Sequence, residues 1–120
     1  MAAEPLALEV TSGDPAAVRG NYSLGESSMD ARLEGELIIG ADGCLQLLTG
    51  QDESTLLVFP DEADPIERGR PGIEISSTRI MVGERASFAG GGYELSEEQY
   101  ETLRRCVPSG EVFLVQGLAG

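Results

Sequence analysis

Leu33-Glu34-Gly35-Glu36-Leu37-Ile38-Ile39-Gly40-Ala41-Asp42-Gly43-Cys44-Leu45-Gln46-Leu47-Leu48 is the stretch from which the fold can be read. Leu33, Gly35, Leu37 and Ile39 alternate with Glu34, Glu36 and Ile38. That is the two-residue period of a strand with one apolar and one largely charged face. Asp42-Gly43 then supplies the backbone freedom at φ > 0 that a tight hairpin turn demands. Leu45 and Leu47 return in phase, so the segment predicts a hairpin with its apolar face turned to a core.

Downstream, Gly50-Gln51-Asp52-Glu53 predicts a second turn, and Leu56-Leu57-Val58-Phe59 a third strand, apolar on both faces and therefore buried on both. Pro60 ends it, because proline cannot donate to a ladder. Asp61 to Pro71, with Pro65 inside it, reads as a polar, acidic loop. Gly72-Ile73-Glu74-Ile75-Ser76 alternates again, and Arg79 to Gly83 and Ala86 to Phe88 read as strand around a turn at Gly83-Glu84. Gly90-Gly91-Gly92 marks a bulge, a corner or a close backbone approach. Neither a following Lys-Ser/Thr nor a dinucleotide fingerprint accompanies it, so it does not read as a phosphate cradle.

One helix is signed by its ends. Ser96 with Gln99 forms a capping box, and Leu95 and Tyr100 stand at the hydrophobic-staple positions. Glu97 and Glu98 suit the positive end of the helix and Arg104 and Arg105 the negative end. Tyr100, Leu103 and Val107 form the expected apolar stripe, and Pro108 and Gly110 stop the helix. About ten residues are too few for a helix to stand alone, so it must pack on a sheet. Val112 to Val115 reads as the closing strand and Gly117 to Gly120 as a frayed tail. Upstream, Leu6, Leu8 and Val10 keep strand period, while the next twenty residues hold few large apolar side chains. Residues 1–31 are thus expected as an N-terminal strand and loose arm, and 32–117 as the folded domain.

The 120 residues suffice for one domain. The order of elements predicts a mainly β fold: a small closed or partly open barrel, OB-like, of about five to seven strands, with one short helix before the last strand. A β-sandwich is the alternative.

Twenty-one acids stand against eight Arg, with no Lys and no His, giving a net charge of −13. Duplexes, RNA and anionic membranes repel such a surface, so no nucleic-acid partner is expected. Six acids fall within residues 51–68. Among them Asp61, Glu62 and Asp64 form a candidate cation or partner loop, with a solvated loop as the plainer account. No stretch is long and apolar enough to span a membrane, and no secretory leader is visible at the start. The two cysteines, Cys44 after a turn and Cys106 at a helix end, are expected to pair, which would favour an extracytoplasmic location. The competing account is two buried thiols in a cytoplasmic protein.

Without His or Lys, nucleophilic catalysis lacks its usual bases, so no catalytic residue, metal or cofactor is expected. Paired carboxylates could still serve a hydrolase. Tyr22, Phe59, Phe88, Tyr93, Tyr100 and Phe113, spread singly, read as core side chains rather than a ligand platform. A third alternative is an acidic nucleic-acid mimic that binds a basic protein.

The run Glu36 to Leu47, then Leu57-Val58-Phe59-Pro60, then Met81-Val82-Gly83 and Gly90-Gly91-Gly92, resembles small secreted or lipoprotein-type domains of high-GC Gram-positive bacteria. The resemblance covers about residues 33–117 and rests on the order of these motifs. It implies an extracytoplasmic β domain with a Cys pair, and no catalytic residues. The expected function is therefore non-enzymatic binding of a protein or cell-envelope component.

Overall fold

The computed structural model describes residues 7–11, 13, 15–22, 31–40, 43–50, 53–66, 69–75, 77–106 and 111–118. Among them run β1 (Leu8–Val10), β2 (Val18–Gly20), β3 (Ala31–Ile39), β4 (Leu45–Leu48) and β5 (Ser54–Phe59). Then come β6 (Asp64–Ile66), β7 (Gly72–Ile75), β8 (Thr78–Met81), β9 (Arg85–Glu94), the helix α1 (Glu97–Thr102), a 3₁₀ turn (Arg104–Cys106) and β10 (Glu111–Leu118).

β3 and β4 pair antiparallel with Leu37 opposite Leu47 and Ile39 opposite Leu45, the register that the alternation demands. From this hairpin the ring closes. β4 pairs antiparallel with β5, β5 runs parallel to β10, β10 pairs antiparallel with β9, and β9 returns antiparallel to β3. The protein is a mainly β, OB-like closed barrel of five strands with extra strands attached and its short helix placed before the last strand. Leu37, Leu45, Leu47, Leu57, Phe59, Phe88, Phe113 and Val115 belong to one buried cluster. Within it, Phe59 and Phe88 meet edge to face at 6.2 Å.

The turns follow their chemistry. Gly43 has φ +86°, although Ala41 and Asp42 of the expected turn lie outside the described residues, as do Gln51 and Asp52 of the second turn. Gly90 is needed for close approach, since a Cβ there would collide with the Leu114 carbonyl of the neighbouring strand. Beside it the β9–β10 register slips between Val115 and Gly117, so the glycine run marks both a close approach and a bulge.

Several expectations differ from what the chain does. The acidic stretch read as a loop contains β6, which pairs with β7 to make, with β8, a separate three-stranded sheet. Pro65 is tolerated because β6 is an edge strand with no ladder donor required there. Ile73, Ile75 and Ile80 of this insert join the barrel cluster. The arm expected to be loose is packed over residues 15–22: Ala16, Ala17 and Val18 are fully buried and Tyr22 nearly so. Val18 pairs with Val58 of β5, and Ala16 bridges Cys44. Small side chains hid this burial from a reading keyed to large apolar residues. Residues 23–30 of the arm lie outside the described residues.

This N-terminal hairpin and the helical segment cover the outer side of β5 and β10. Val18, Leu56, Val58, Leu103, Val112 and Leu114 share a second cluster there with Cys44 and Cys106. The two-sided apolar run Leu56 to Phe59 follows, one side feeding each cluster.

The capping box forms: Ser96 Oγ accepts from the Gln99 N–H at 3.2 Å, and the Ser96 N–H donates to Gln99 Oε1 at 2.9 Å. The expected apolar stripe is corrected. Leu103 is buried, but Tyr100 is 42% exposed and Gln99 is the buried residue of α1. The helix gives way to the 3₁₀ turn soon after Leu103, so the face that meets the core is set by Gln99 and Leu103 rather than by the longer stripe. The strand expected over Val112 to Val115 runs on through Gly117 and Leu118, which pair with β9 rather than fraying, while Val107, Pro108, Gly110, Ala119 and Gly120 lie outside the described residues.

Candidate functional site

Cys44 stands one residue before β4 and Cys106 closes the 3₁₀ turn, and the two are joined in a disulfide with Cα atoms 5.7 Å apart. Both are fully buried. The bridge spans 62 positions of sequence and fastens the helical segment to the turn between the first two barrel strands. No thiol among the described residues is left to act as a nucleophile.

The acidic loop is organised by a residue that sequence reasoning did not single out. Arg19 of β2, whose side chain is 25% exposed, reaches Glu9 at 2.9 Å and Asp64 at 3.4 Å, and donates to the Ala63 carbonyl at 3.1 Å. Asp64 therefore faces a guanidinium. Asp61 is exposed, and its N–H donates to the Tyr22 carbonyl at 2.9 Å. Glu62 is exposed next to it. Asp61 borders an open depression of about 390 Å³ together with Leu8, Glu9, Arg19 and Asn21. Among the described residues, no three His, Cys, Asp or Glu side chains come together as metal ligands would. What the loop does in the fold is anchor the inserted sheet to the N-terminal hairpin through Arg19.

Tyr22 was also missed as anything but a core aromatic. Its hydroxyl donates to the carbonyls of Val58 and Val115, lying 2.8 Å from each. These carbonyls belong to β5 and β10, so one phenol pins the parallel seam of the barrel. Burial pushes its pKa well above the usual tyrosine range, because a phenolate would be stranded away from water. The available signal was its position: a lone aromatic in a stretch otherwise made of turn residues.

A second open depression, of about 350 Å³, lies on the helix and is lined by Leu95, Ser96, Glu97, Tyr100 and Glu101. Glu97 and Glu101 are four apart and Tyr100 three after Glu97, so all three share one helix face. Glu101 meets Arg104 at 3.7 Å, with both side chains largely in water. Behind this face, Gln99 Nε2 donates to the Tyr93 hydroxyl at 3.0 Å. α1 also packs against β1, which borders the first depression, so the two hollows belong to neighbouring elements.

Of the six aromatics expected in the core, Tyr22, Phe59, Phe88 and Phe113 are buried, Tyr93 is half-buried, and Tyr100 is on the surface. No described helix is long and apolar enough to cross a membrane. Comparison of the chain with protein-family models, with curated proteins and with solved structures finds no match.

Proposed function

We propose that this chain is a non-enzymatic, extracytoplasmic binding domain that engages a protein or an envelope component through its acidic surface. The observation that carries the reading is the Cys44–Cys106 bridge, because disulfides persist outside the reducing cytosol. The chemistry is in keeping with it. The chain has no His and no Lys to activate a nucleophile, and both cysteines are committed to the bridge.

The test has two arms. In the native host, fractionation should find the chain outside the cytoplasm, and a thiol reagent added to denatured, unreduced protein should label no cysteine. Recovery from the cytosol with two reactive thiols overturns the compartment. In the second arm, purified protein should leave chromogenic glycosides and esters unchanged. Turnover that disappears when a specific pair of carboxylates is changed to amides would establish a hydrolase instead.

A further inference from the structure

We propose that the outer edge of β1 receives an extended segment of a partner protein as one more antiparallel strand. This deepens the binding-domain reading and rests on it. The β1–β2 ladder fixes which backbone groups are on offer. Leu8 stands opposite Gly20, Glu9 opposite Arg19 and Val10 opposite Val18. On either side, the Asn21 N–H donates to the Ala7 carbonyl at 3.1 Å and the Thr11 N–H donates to the Ala17 carbonyl at 2.9 Å. Hydrogen-bonded pairs alternate along an antiparallel ladder, so Ala7, Glu9 and Thr11 turn their polar groups toward β2. The N–H and C=O of Leu8 and Val10 therefore point away from it, and no group among the described residues bonds to them.

Among the described residues β1 is the free edge of its sheet, because β2 continues into strands that close on themselves. The three-stranded insert, by contrast, guards both of its edges. β6 carries Pro65, which has no N–H to offer. On β8 the Met81 N–H donates to Glu84 Oε1 at 2.7 Å, and the Met81 carbonyl accepts from the Glu84 N–H at 3.0 Å. Prolines and capped groups deter a further strand, and an edge without them is a template for one. Neither device is present at Leu8 or Val10, which are only half-buried.

The geometry of these groups chooses the occupant. Donors and acceptors that recur two residues apart on an extended strand are met by another extended backbone, whereas a helix has its own backbone groups bonded internally. Leu8 and Val10 pack against the second cluster, as Leu95 does, while the Glu9 carboxylate is held by Arg19 at 2.9 Å. Residues directly opposite in an antiparallel pair share a face. The incoming residues facing Leu8 and Val10 are thus apolar, and the one between them, facing Glu9, is polar and not acidic. That last requirement disfavours a second copy: β1 paired with itself about a two-fold axis sets Glu9 against Glu9, and like charges directly opposite destabilise a ladder.

The experiment uses the whole disulfide-bonded chain and the peptide acetyl-Thr-Val-Thr-Val-Thr-Val-Thr-amide, followed by hydrogen exchange and amide chemical shifts. Without peptide, the Leu8 and Val10 amides should exchange at nearly the rate of an unstructured chain, and the Thr11 amide at least about tenfold more slowly. With peptide, Leu8 and Val10 should become protected and the shifts should concentrate on residues 7–11. N-methylation of the peptide valines, whose N–H groups face β1, should weaken binding at least about tenfold, and N-methylation of its threonines should change it less than about twofold. Val10→Pro removes an N–H that β2 does not use, so its melting curve should show a folded protein while binding falls at least about tenfold. If Val10→Pro unfolds, the two methylated peptides decide the matter on the wild type. Five results overturn the proposal: Leu8 and Val10 amides already protected in the chain alone, no binding, equal losses from both methylated peptides, a folded Val10→Pro that binds like the wild type, or a dimer of the chain that the peptide breaks. Each leaves the compartment and thiol results of the previous section standing. Conversely, a cytosolic chain with free thiols sinks that reading without altering where the peptide pairs.

Discussion

Reducing the Cys44–Cys106 bridge should remove a large share of the stability of this protein. For a loop of 62 residues the chain-entropy expression gives about 14 cal/mol/K, or about 4 kcal/mol at 25 °C, which the cross-link withholds from the unfolded chain. Domains of 120 residues are stable by roughly 6 to 18 kcal/mol, so the bridge decides whether the fold survives moderate stress. With an unfolding entropy of about 250 cal/mol/K for this length, the loss corresponds to a fall in Tm of roughly 16 °C. The cleanest comparison is oxidised against phosphine-reduced wild type, monitored by circular dichroism during urea and thermal unfolding. Reduction leaves both buried sulfurs in place, so the packing of the second cluster is nearly conserved and the difference isolates the cross-link. Cys44→Ala, Cys106→Ala and the double variant complete a cycle. Either single change already breaks the link, so each should cost almost as much as both together. A loss below about 1 kcal/mol, or single costs that simply add, would refute the reasoning.

Tyr22→Phe keeps the ring but leaves the Val58 and Val115 carbonyls without their shared donor, and should cost about 1 to 3 kcal/mol in urea unfolding. Burial raises the folded-state pKa of this phenol, so the stability it contributes is complete below about pH 10 and is lost as pH rises beyond it. Alkaline titration of folding should therefore show a steeper decline in the wild type than in Tyr22→Phe; parallel curves would place the alkaline sensitivity elsewhere. Gly90→Ala drives a methyl into the Leu114 carbonyl across the β9–β10 seam and should cost about 3 kcal/mol. Gly117→Ala, on the same seam but with nothing near its Cβ position, should stay within about 0.5 kcal/mol of the wild type. Equal melting temperatures for these two variants would contradict the packing described.

The parts legible in advance were those whose signal is local. Alternation over Leu33 to Leu48 with a glycine at the turn specified a hairpin and its register, and the structure keeps Leu37 opposite Leu47. The Ser96–Gln99 box located the start of the helix to the residue. The doubly apolar run at Leu56 to Phe59 announced a strand covered on both sides. Two of the three-residue strands were not legible. β2 and β6 are too short to show a period, and each exists because a neighbour, β5 or β7, offers it a ladder. Asp61, Glu62 and Asp64 were visible as an acidic group, but Arg19, 45 positions from Asp64, was not visible as its counter-charge.

Strand period, turn chemistry, helix capping and the −13 charge belong to the chain itself, because each is a property of residues within a few positions of one another or of a plain sum. The folded molecule decided between the expected barrel and the sandwich, and between the expected Cys44–Cys106 bridge and two buried thiols, and it alone revealed the seating of Tyr22 between two parallel strands and the exposure of Tyr100. These depend on which distant segments bury one another's apolar faces. A helix with Gln99 and Leu103 turned toward the core must show Tyr100 to solvent, whatever stripe its residues suggest in isolation.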